Sequence, residues 1–162
     1  ERLVAALRAA QQAGGDIRGM QSAAILVVPA ESTGDDWTDI RVDLRVEDHD
    51  NPVDELARLV TLHRAYDHMN RGDLAMEKMD VESALREYST ALQLAPDNSE
   101  MAFWTGVSLV NAGRLTDSLP YFRQAFADTE SGADWRELLR RLPDSKLFPK
   151  DPALLQRVLD VH

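Results

Sequence analysis

GDLAMEKMDVESALREYSTALQLAPDNSEMAFWTGVSLVNAGRLTDSLPYFRQAF, Gly72–Phe126, carries the pattern that decides the fold. Shifted by 34 positions, it matches itself. Gly72 falls on Gly106, Val81 on Leu115, Ala84 on Ser118, Leu85 on Leu119, Tyr88 on Phe122, Ala91 on Ala125 and Leu92 on Phe126. A fixed period of this length marks stacked helix pairs, each of which buries its apolar face only against its neighbours. The residue sizes agree. Gly or Ala lets two helix backbones approach closely, and an aromatic ring one turn further fills the groove between pairs. Pro96 with Asp97 and Asn98 marks the turn that closes the first pair, and Gly113 the tight turn inside the second.

Over about residues 66–131 this pattern resembles the tetratricopeptide repeat. Arg71 and Thr105 stand where that family usually has a large apolar residue, and Glu130 replaces its closing proline. Residues 134–142 read as the start of a third pair, until Pro143, Pro149 and Pro152 break the period. A last helix from Pro152 to about Val161 has Leu154, Leu155, Val158 and Leu159 on one face and is expected to cap the array. The resemblance implies that the first helix of each pair lines a concave groove. The positions are Tyr66, Met69, Asp73 and Met76 in the first repeat, and Phe103, Val107, Val110 and Asn111 in the second. Methionine adapts to varied apolar surfaces and suits a peptide groove. The family's clamp of Lys and Asn for acidic C-termini is not present on these faces. The same apolar face could equally pack against a neighbouring domain or a second copy of the chain. Truncating Phe103 and Met69 to Ala is expected to weaken partner capture or oligomerisation without unfolding.

Upstream, Asn51 can cap and Pro52 can open a helix whose Leu56, Leu59, Val60, His63, Tyr66 and Asp67 keep helical spacing to about Met79. Before it, Ile40, Val42, Leu44 and Val46 alternate with charged residues, the period-two pattern of a half-buried strand. Gln21–Val28 is a compact apolar run and reads as a strand that expects cover on both faces. With the polar loop 30–38 between them, the two form an antiparallel hairpin. Residues 2–13 read as an amphipathic helix stopped by Gly14 and Gly15. A lone hairpin is marginal in water, so residues 1–51 are expected to be the C-terminal part of a larger α+β domain, completed upstream or by another chain. Residues 52–162 are then the helical-repeat domain. The fold class is α+β, mostly α: a β-hairpin followed by an α-α superhelix.

The stretches GGDIRGMQSAAILVV, Gly14–Val28, and VDLRVEDHDNPVDELARLVTLH, Val42–His63, resemble the end of a bacterial family, domain of unknown function 1028. The resemblance covers roughly residues 2–64 and implies the sandwich of the N-terminal-nucleophile hydrolases. In those enzymes the nucleophile is the first residue of the mature chain. Glu1 has neither hydroxyl nor thiol, so no catalytic residue is carried over. Asp16, Arg18 and Gln21 would be polar contacts of a pocket loop in such a domain; the plainer reading is a helix cap and turn entering a strand.

The 162 residues carry a net charge of −10, 44% apolar residues and no cysteine. The acidic balance argues against a nucleic-acid partner, which would require surplus Lys and Arg. No apolar run reaches the roughly 20 residues of a membrane span. Without cysteine there is no disulfide, zinc-thiolate site or cysteine nucleophile, and the cytoplasm is permitted. Glu47, Asp48, His49 and Asp50 offer metal-binding groups, but neighbours on an extended chain point to opposite faces. His63 and His68 are five apart, which is not the helical metal spacing. No cofactor or metal is expected. The reading is a protein-interaction or assembly module whose partner is a protein or peptide: a second copy of the chain, or the rest of a longer one. The alternative is the C-terminal part of an amidohydrolase whose nucleophile lies upstream.

Overall fold

The computed structural model describes residues 2–13, 23–27 and 42–162, and the chain divides into two units, Glu1–His63 and Arg64–His162. The first unit holds α1 (Arg2–Gln12), β1 (Ala23–Val27), β2 (Val42–Val46) and the opening part of α2 (Pro52–Glu77). β1 and β2 pair antiparallel, with Ala23 opposite Val46 and Val27 opposite Val42. The alternation read from β2 is realised: Val42 and Leu44 are half-buried, Val46 is buried, and Asp43 and Arg45 are exposed. Among the described residues β1 is open on one face. Leu26 is 58% exposed and Ala24 is also exposed, while Ile25 and Val27 are half-buried. Val4, Val46 and Leu56 are buried, and Arg8 reaches Asp54 Oδ1 through Nη2 at 2.8 Å.

The division falls inside α2, after His63, and not at the helix start near residue 51. The second unit takes the rest of α2, then α3 (Val81–Leu94), α4 (Ser99–Asn111), α5 (Leu115–Ala127), α6 (Gly132–Arg141) and α7 (Pro152–Leu159). The 34-residue period appears directly in the boundaries: α3 and α5 start at Val81 and Leu115, and α2 and α4 end at Glu77 and Asn111. Short polar side chains set several starts. Asp80 accepts from the Ser83 N–H, Asn98 Oδ1 from the Met101 N–H at 2.9 Å, and Asp151 Oδ1 from the Ala153 N–H at 2.9 Å. Gly113 takes φ +75°, so the tight turn after α4 uses the left-handed conformation that glycine adopts freely.

The two knobs occupy equivalent places. Tyr88 and Phe122 are both fully buried. A Cβ on Gly72 would strike the Tyr88 ring, and a Cβ on Gly106 would stand 2.9 Å from Phe122 Cε2. Around Phe122 the core is aromatic. Phe103 meets it edge-on at 6.0 Å between ring centres and stacks on Trp135 of α6 at 4.9 Å. Arg136 lies over the Phe126 ring at 4.3 Å and donates to the carbonyls of Phe126 and Val161. Val158 is buried, Arg123 of α5 donates to the His162 carbonyl, and Arg136 of α6 to that of Val161.

Two of the three departures from the repeat pattern, Thr105 and Glu130, have local explanations. Thr105 is fully buried and points its hydroxyl at Met69 Sδ, 3.9 Å away. At the missing proline, Asp128 accepts from the N–H groups of Glu130 and Ser131 and shapes the turn into α6.

Candidate interaction groove

The last turns of α2 and α4 end side by side, and the space between them is an open groove of about 360 Å³. Asp73, Met76, Glu77 and Met79 line it from the first repeat; Ser108, Asn111 and Ala112 line it from the second. Helical spacing places Asp73, Met76 and Glu77 on one face of α2. Met79 stands just beyond the helix end with φ +59° and is 73% exposed. Asp73 Oδ1 accepts the Tyr88 hydroxyl at 2.7 Å, so the knob that seals the repeat core also positions a groove residue. Burial, chiefly, and the Asp73 carboxylate push the Tyr88 phenol well above its ordinary pKa, against an opposing bond to Ser108; it remains a donor. Asn111 Nδ2 donates to the Leu147 carbonyl at 3.0 Å, which brings the segment after α6 to the end of α4.

Eight positions were expected to line a groove. Asp73, Met76 and Asn111 come together there. Four others are inside the protein: Met69 is 7% exposed, Phe103 0%, Val107 3% and Val110 4%. The expectation that Phe103 and Met69 meet a partner is therefore corrected. The sequence pattern shows one apolar face per helix, but α4 is packed by both α3 and α5, and Trp135 closes over Phe103. Tyr66 is 38% exposed and donates to Glu100 Oε2 at 2.7 Å, away from this groove. Burial first, and the Glu100 bond second, raise its pKa. Glu77, Met79, Ser108 and Ala112 were missed. Glu77 was within reach, since it stands 34 residues before Asn111.

Asp16, Arg18 and Gln21 lie outside the described residues. The segment Glu47–Asp50 is exposed, and His49 Nδ1 accepts the Asn51 N–H at 3.0 Å, a local turn contact. His68 Nδ1 sits 2.6 Å from Glu87 Oε2, joining α2 to α3. Among the described residues, no three His, Asp or Glu side chains are grouped to hold a metal.

Stacked helix pairs repeating at 34 residues place the second unit in the class of α-helical repeat folds. Residues 69–134 match the tetratricopeptide repeat, and residues 1–56 match a family of unknown function, DUF1028. The chain thus carries a tetratricopeptide-repeat region C-terminal to a DUF1028 region. No curated protein and no solved structure matches it significantly. Among the described residues no helix is long and apolar enough to cross a membrane.

Proposed function

We propose that the chain is a protein-interaction module that holds a segment of a partner protein in the groove at the ends of α2 and α4. The observation that carries this reading is the open groove flanked by Met76 and the largely exposed Met79. An unbranched thioether on the surface gains apolar burial when a partner covers it and adapts to the shape of what covers it. The repeat match supports the same class, since stacked helix pairs build concave binding surfaces.

The test is selection of a random peptide library against the whole chain, followed by binding measurements on the selected peptides. Met76→Lys and Met79→Lys should each weaken binding by about tenfold or more with an unchanged thermal melt. Equal binding by both folded variants overturns the reading. A second reading, self-association through the hairpin, is favoured by the exposure of Leu26 on β1. Light scattering checks it: a Leu26→Lys variant should shift the chain toward monomer, and an unchanged mass rejects it. The alternative of an amidohydrolase domain rests on the resemblance of residues 2–64 alone, and nothing in the described geometry favours it.

A further inference from the structure

The charges around the groove specify what kind of segment it takes. α2 and α4 both end here, and a helix C-terminus carries partial negative charge on its last carbonyls. Neither helix has a basic residue in its last turn to offset it. Two carboxylates add to the field. Asp73 uses Oδ1 for the Tyr88 hydroxyl and is otherwise exposed; Glu77 is exposed and has no ion pair among the described residues. Of the nearby cations, Arg114 is engaged by Glu82 at 3.0 Å and by Asp117, and Lys78 does not line the groove. Met76, Met79 and Ala112 line the same groove as the two carboxylates. The surface thus combines apolar side chains with two exposed carboxylates.

We infer that the groove takes a Lys or Arg side chain carried by an apolar segment of a partner protein. This rests on the interaction reading above and gives it a ligand chemistry. A long basic side chain matches both parts: its aliphatic stem lies along methionine, and its charged head reaches the carboxylates and helix ends. An acidic or purely aliphatic segment would leave the negative charges desolvated and unpaired.

Peptides selected against the wild-type chain provide the test, with their composition as the readout. Lys and Arg should be enriched about threefold over the starting library. The enrichment should vanish for Asp73→Asn/Glu77→Gln, in which Asn keeps an acceptor for Tyr88. It should persist in Asp97→Asn/Glu130→Gln, which removes two charges beyond the opposite end of α4. Should the double groove variant fail to fold, Glu77→Gln alone serves, because that side chain is exposed and unpaired among the described residues. Enrichment that survives in the groove variant, or is lost equally in the remote one, overturns the inference and assigns any preference to the overall charge of −10. Peptides that depend on Met79 yet show no basic surplus overturn this inference alone. Peptides indifferent to Met79→Lys overturn both readings.

Discussion

Gly72 and Gly106 are the residues on which the repeat geometry depends, because each leaves room for one ring. Alanine in place of helical glycine gains up to about 1 kcal/mol of propensity. At Gly72 the added Cβ would collide with Tyr88, whose ring is fixed by its bond to Asp73, so the gain is outweighed. Gly72→Ala should destabilise by about 1–3 kcal/mol in urea unfolding, and Gly106→Ala, with its looser contact, by less. Deleting the rings should cost more, about 3–5 kcal/mol for Tyr88→Ala or Phe122→Ala. Phe103→Ala belongs with these. It should lower stability by about 3–5 kcal/mol, whereas Met79→Ala should change it by less than about 0.5 kcal/mol. Equal effects of Phe103→Ala and Met79→Ala in the same unfolding assay would contradict the assignment of one to the core and the other to the groove.

Among the elements, α5 contains a local conflict. Pro120 lies in its interior, where it removes a backbone donor and crowds the preceding turn, yet the surrounding aromatic packing holds the helix. Pro120→Ala should raise stability by about 1–3 kcal/mol, seen as a higher urea midpoint. The helix starts set a pH dependence. Asp80 accepts from the Ser83 hydroxyl and N–H, and Asp128 from the Ser99 hydroxyl and the N–H groups of Glu130 and Ser131. These bonds hold both carboxyls below the usual range, so each contributes stability above its unfolded pKa that is lost as pH falls through the lower folded value. The melting temperature should drop from about pH 4 downward. Asp80→Asn should melt lower near neutrality and lose less on acidification; an identical acid profile would show that this cap is not ionised in the fold. The starts of α4 and α5 were legible because the Pro96–Asn98 turn and Gly113 are local signals that act on the helices beside them. The burial of Phe103, Val107 and Val110 was not. It depends on Trp135 and on packing by other helices, and a single helix pattern carries no record of how many neighbours it will have. In β1, Leu26 and Ala24 are turned outward, on the face for which the sequence expects cover from an upstream part or another chain.

Across the whole molecule, two sequence families meet inside one helix, since the matches end at residue 56 and resume at 69, both within α2. The DUF1028 region was recognisable from its long motifs, and the repeat from its period; the groove was recognisable only in part, because Met79 lines it from beyond the helix end. The central claim is that a partner segment docks on this groove. Its most direct test is methyl NMR of the five methionines, Met20, Met69, Met76, Met79 and Met101, during titration with a selected peptide. Met69 and Met101 are 7% and 1% exposed and serve as internal references for the core. The account predicts that the Met76 and Met79 methyl resonances move with the binding curve while Met101 stays in place. Saturable binding that leaves both Met76 and Met79 unshifted would contradict it.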